Sequence, residues 1–193
     1  MSSKLQKIYA WILTAGGLAG LIAMTWQAAE RIQMLKNPGG ILSCNLNPVI
    51  DCGAVLDNRL AALFGFPNAF IGMAVFAMLT LSGVLLLTGN KPNRAFKHVM
   101  LGLSTILLLF SLWFFGVSLY IIAKICIFCL VGWVVAIPIF VYTLQYWLSD
   151  TKSNGWQASL SKFLAGNHIN VIVTAYVVMA VMYFIKFSEY YFG

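Results

Sequence analysis

VMLGLSTILLLFSLWFFGVSLYIIAKICIFCLVGWVVAIPIFVYTLQY, residues 99–146, carries a single charged side chain, Lys124. A helix needs about 20 apolar residues to cross a hydrocarbon core of about 30 Å, so this stretch divides into two spans, 99–122 and 125–146, turning at Lys124. Working outward, the same pattern recurs at 8–26, 69–87 and 169–187, which predicts five transmembrane helices. The composition agrees: of 193 residues 61% are hydrophobic and 9% charged, against roughly 25% charged in a soluble domain. The bilayer is the solvent of such a chain, and no room is left for a separate soluble domain.

The formal charge of +7 does not point to nucleic acid. The basic residues form no long run, sit between the apolar segments and accompany no nucleic-acid motif, so they read as topology signals. Seven of them, Lys4, Lys7, Lys91, Arg94, Lys97, Lys152 and Lys162, fall on one side of a five-span layout. Arg31, Lys36, Arg59, Lys124 and Lys186 fall on the other, with four of the five acidic residues. The first side, with the N-terminus, is expected to be cytoplasmic. The first span is longer than the apolar region of a signal peptide, roughly 7 to 15 residues, so a retained helix is expected.

The one long connection runs over 27–67. Turns are expected at Asn37-Pro38-Gly39-Gly40 and Asn47-Pro48. Within it, 54–64 (AVLDNRLAALF) is too short to span and mixes apolar with polar residues, so it reads as a short helix at the membrane surface.

All four cysteines share the predicted extracytoplasmic face, where disulfides form and persist. Cys44 and Cys52 lie in the long connection, and Cys126 and Cys129 open the fourth span. Cys126-Ile127-Phe128-Cys129 puts two sulfurs on one face of a helix start. The helix N-terminus, with Lys124 beside it, favours thiolate. A loop pair facing an embedded pair suits a two-step relay, because exchange needs an attacking thiolate to reach the other pair's sulfur. Spacing alone leaves other readings open: two static disulfides, or a zinc site, which the seven residues inside the first pair disfavour. Both histidines, His98 and His168, fall on the opposite side.

Taken together, Cys44-Asn-Leu-Asn-Pro-Val-Ile-Asp-Cys52-Gly, Phe64-Gly-Phe-Pro-Asn-Ala-Phe-Ile-Gly72 at the second span and Cys126-Ile-Phe-Cys129 at the fourth resemble the vitamin K epoxide reductase family in its bacterial form. The resemblance covers about 9–146. It implies an all-α integral membrane fold, a four-helix transmembrane bundle around a quinone site, here followed by a fifth transmembrane helix. Residues 1–146 would be the catalytic core and 147–193 a cytoplasmic loop and the fifth helix. It further implies electron flow from a thioredoxin-fold thiol oxidase of the DsbA type to ubiquinone or menaquinone in the cell membrane. Many bacterial members carry the thioredoxin-like domain fused after a fifth span; here the partner is expected to be a separate protein.

Carried over by position, Cys129 is the sulfur that reduces the quinone, Cys126 exchanges with Cys52, and Cys44 meets the partner. Asn68 falls where the family has a polar residue facing a quinone carbonyl, although a helix-start cap after Pro67 is the plainer role for it. Asn58 is a weaker candidate for the opposite carbonyl. One turn after the CxxC, vertebrate members have a tyrosine and this chain has Trp133. An indole can stack on a ring and donate one hydrogen bond but accept none, which argues against assuming vitamin K epoxide as the substrate.

Other features bear less on chemistry. Gly16, Gly17 and Gly20 allow close helix contact, Pro138 is expected to kink the fourth span, and Trp26, Trp113, Tyr142, Tyr146 and Trp147 suit an interfacial belt. The spans hold almost no ionisable residue away from their ends, which disfavours a transporter. The rival reading is a non-enzymatic membrane scaffold with structural disulfides.

Overall fold

The computed structural model describes residues 3–37, 42–90, 92–149 and 155–192. Its helices are α1 (Ser3–Lys36), α2 (Cys52–Asp57), a 3-10 helix (Arg59–Ala62), α3 (Asn68–Leu87), α4 (Arg94–Gly116, continued by a π-helical turn, Val117–Ile122), α5 (Ile127–Leu148), α6 (Trp156–Lys186) and α7 (Ser188–Phe192). Five of these are long and apolar enough to cross a membrane: α1, α3, α4 with its π turn, α5 and α6. The protein is an all-α, multi-pass membrane protein, as its apolar runs predict. Pro38, Gly39, Gly40, Lys91 and Lys152 lie outside the described residues.

The helices α1 and α3 pack closely because glycine lets them. A Cβ on Gly17 would stand 2.8 Å from the Thr80 backbone nitrogen, and one on Gly83 would stand 2.6 Å from that of Thr14. Gly20 gives its space to the ring of Phe76. In a bilayer, where burial of apolar surface between helices contributes little, such close approach supplies much of the association. Two apolar clusters divide the bundle. One holds Tyr9, Leu13, Phe76, Leu79 and Ile139; the other holds all four cysteines with Phe114, Phe115, Leu119 and Trp133. Lys97, a topology signal by sequence, is buried and lies 5.1 Å over the Tyr146 ring.

Two elements differ from expectation, and a third detail goes beyond it. First, the connection does not begin at Gln27, because α1 runs on to Lys36. Hydropathy falls at Gln27, but 27–36 is built of good helix formers, and Gln27, Ala28 and Glu30 are buried against the rest of the protein. Second, the single surface helix at 54–64 is two short helices broken at Asn58. The Asp51 side chain caps α2 at the Ala54 N–H (3.1 Å), and Asn58 caps the 3-10 helix at the Leu60 N–H (2.9 Å). Third, α6 docks on α5 through a bond that Pro138 makes available. Proline has no N–H to offer the Val134 carbonyl four residues back. The Tyr176 hydroxyl donates to that carbonyl instead, at 2.7 Å.

Candidate functional site

The loop that carries Cys44 is shaped by its own side chains. Asn47 Oδ1 accepts from the Val49 and Ile50 N–H groups (2.9 and 2.7 Å), folding the chain around Pro48. Asn45 Oδ1 accepts from the Gly53 N–H at 3.1 Å. Cys44 and Cys52 are joined in a disulfide with Cα atoms 5.8 Å apart. Cys52 is the first residue of α2, and both cysteines are buried.

The embedded pair is built by a helix start. Cys126 is the N-cap of α5, with extended backbone (φ −99°, ψ 127°), and Cys129 lies in the first turn. Both are free thiols and both are buried. Cys126, inside the apolar run 125–146, stands just ahead of the helix that can cross, Ile127–Leu148. A hydrogen bond from the Cys129 thiol holds it below the usual thiol range; burial opposes this, the Cys129 and Phe128 N–H groups assist it, and the charge of Glu30 acts against it. Lys124 has a structural part as well. Its ammonium donates to the Pro48 carbonyl and so fastens the loop to the turn before α5.

A short parallel bridge, Ile50 with Ile125, brings the pairs together. Ile125 N–H donates to Val49 O (2.9 Å) and Asp51 N–H to Ile125 O (3.1 Å). The bridged residues directly precede Asp51-Cys52 on one strand and Cys126 on the other, so the loop disulfide and the dithiol enter one apolar cluster side by side. The turn into this bridge needs Ala123 in the left-handed region (φ +54°).

Beyond Cys129 lies a cavity of about 210 Å³. Its walls are mostly apolar, among them Met24, Phe64, Phe110, Phe114 and Trp133, with Gln27, Asn68, Ser111 and Cys129 as the polar points. Trp133 packs edge-on against Phe115, centroids 5.1 Å apart. Asn68 lines the cavity but does not cap its own helix, as the plainer reading had it. Its amide bonds the preceding segment, donating one N–H to Leu60 O (2.8 Å) and accepting from Leu63 N–H (3.1 Å). Asn58 is not in the wall; it acts one step away, holding the 3-10 helix that places Ala61 there.

Gln27 and Ser111 went unnoticed in the sequence. Gln27 Nε2 lies 3.4 Å from Cys129 Sγ, while its Oε1 is buried with no partner. The signal is legible: Gln27 directly follows the apolar run that ends at Trp26, and the helix formers after it carry the helix on to Lys36.

The mostly apolar cavity fits a largely apolar ring, and the orphaned Gln27 oxygen, an acceptor, favours a guest with a hydroxyl to donate, such as a hydroquinone. By class, a chain folded this way is a multi-pass membrane thiol–disulfide oxidoreductase. Its family is shown by sequence: residues 11–144 match the model of the vitamin K epoxide reductase family, and the chain belongs to that family. No individually curated protein matches it.

Proposed function

We propose that this oxidoreductase reoxidises an extracytoplasmic, DsbA-like thioredoxin-fold protein and passes two electrons, through Cys44 and Cys52 and then Cys126 and Cys129, to ubiquinone or menaquinone. Disulfide formation outside the cytoplasm then continues. The observation that supports the reading best is the position of Cys129, in the wall of an apolar cavity and beside a dithiol partner that adjoins the loop disulfide. On this reading residues 1–146 form the catalytic core, 147–193 add a cytoplasmic loop and the fifth helix, and the N-terminus is cytoplasmic.

Cys44 receives the donor's thiolate, and Cys52 exchanges with Cys126. Cys44 is buried with the loop closed, so the donor needs the loop to release the Asn45, Asn47 and Lys124 bonds that hold it. Cys129 faces the ring, with the Gln27 amide close to its sulfur. Trp133 offers a face for stacking, and Asn68 keeps one N–H for a carbonyl while bracing the segment before α3. When bound, a quinone supplies a two-electron, two-proton acceptor.

The test is quinone reduction by the purified protein with a reduced thioredoxin-fold donor. Cysteine-dependent turnover is expected; none with any quinone would leave the scaffold with static disulfides as the better account. Topology is checked separately. Cys44 and Cys52, once reduced, should react with a membrane-impermeant thiol reagent on intact spheroplasts, and labelling only after the membrane is breached would reverse the orientation.

A further inference from the structure

Electrons passing between two buried cysteine pairs cannot travel alone. Moving oxidation from the embedded pair to the loop pair turns two loop thiols into a disulfide and an embedded disulfide into two thiols. Two protons must therefore cross the same interior, where an unprotonated sulfur is costly.

One buried carboxylate, Glu30, has a neighbour of each pair close to it. It is on the unexpected extension of α1 and 5% exposed. Its Oε1 accepts from the hydroxyl of Ser43, the residue before Cys44, and its Oε2 is buried with no partner. Its charge reaches Cys126. Gln27, one turn earlier on the same helix, touches Cys129. The nearest cation in sequence, Arg31, is engaged with Asp57 at 3.1 Å.

We propose that Glu30 is the proton carrier between the two cysteine pairs. Cys52 gives its proton to the Glu30 carboxylate and attacks Cys126; the Cys52–Cys126 bond forms, the Cys126–Cys129 bond breaks, and Cys129 leaves as a thiolate that takes the proton back from Glu30. Cys44 then gives its proton to Glu30 and attacks Cys52; the Cys44–Cys52 bond forms, and Cys126 leaves and is protonated in turn. Two electrons and two protons have moved, and Glu30 is again ionised.

The inference rests on the relay proposed above, and the test separates the two. Fully reduced protein, freed of quinone, is mixed with one equivalent of ubiquinone-1, quenched in acid, alkylated and read by mass spectrometry for each disulfide. In Glu30→Gln the Cys126–Cys129 bond should form at least as fast as in the wild type, because the charge that opposes the Cys126 thiolate is gone, while the Cys44–Cys52 bond forms slower by on the order of 10²-fold, the low end for a positioned proton-transfer group. Glu30→Asp should recover much of the rate. Formate should speed Glu30→Ala, where space is open, and not Glu30→Gln. Wild-type transfer in Glu30→Gln, or no response of Glu30→Ala to formate, overturns the carrier. If ubiquinone-1 leaves the wild-type embedded pair reduced, it is the quinone reading that fails; diamide then starts the exchange and the same comparison of rates decides the role of Glu30.

Discussion

The two cysteine pairs sit in one apolar cluster and are held in opposite ways. Cys126 and Cys129 are fixed by a helix start: three residues of spacing and the first turn of α5 set their geometry, and nothing beyond that helix is needed to bring them together. Cys44 and Cys52 are eight residues apart and are brought together by asparagine side chains, a lysine clamp and one isolated bridge. Opening the first pair would mean unwinding a transmembrane helix, at a cost the bilayer multiplies by leaving backbone groups unpaired. Opening the second costs a handful of hydrogen bonds, each of about 0.5 to 1.5 kcal/mol. One pair is thus suited to stay at the cavity and the other to move out to a protein donor.

The largest effect should come from removing sulfurs. Cys126→Ala and Cys129→Ala should abolish quinone reduction with any donor. Cys44→Ala with Cys52→Ala should abolish it with a protein donor and leave measurable turnover driven by dithiothreitol, which reaches the embedded pair directly. Equal loss in all cases would erase the division between fixed and mobile pairs.

Next in size is a trapped intermediate. With Cys129→Ala the bond between Cys52 and Cys126 lacks its resolving thiol and should accumulate as a loop-to-α5 crosslink, visible by non-reducing proteolysis and mass spectrometry. Cys126→Ala should give none. A Cys129→Ala protein that keeps only the Cys44–Cys52 bond would show that the bridge at Ile50 and Ile125 does not align the pairs for exchange.

The loop's fastening can be tested alone. Asn47→Ala removes the acceptor for two backbone N–H groups. At about 1 to 3 kcal/mol together, the Cys44–Cys52 bond should become reducible by a protein donor some 5- to 150-fold faster, with the helix pair unaffected. An unchanged rate would mean that loop release does not limit access.

The smallest effect is expected at Asn68 in the cavity wall. Asn68→Ala loses bonds to Leu60 and Leu63 and an N–H free for the ring, and should slow quinone reduction by about 2- to 13-fold while the loop pair still exchanges with its donor. A fall in thermal stability alone would confine Asn68 to bracing the 3-10 helix.

Much of the fold could be read directly. Five apolar runs, the glycines of the first span and a CxxC at a helix start are local signals, because helix period and spacing depend only on neighbouring residues. The end of α1 is not legible in this way, because hydropathy registers where apolar character stops and not where a helix does. Gln27 and Glu30 lie on the extension past that point.

What the sequence by itself determined is therefore the class: a membrane-spanning helical bundle with two cysteine pairs at one end and a family resemblance that the family match bears out. The tertiary structure alone decided the rest. The Ile50–Ile125 bridge and the turn of Lys124 to Pro48 join residues far apart in the chain, and the use of Asn68 on the segment before its helix and the burial of Glu30 beside Ser43 join separate elements. Such contacts arise when every buried polar group must find a partner among whatever the packed helices bring near, and no local pattern of residues encodes that choice.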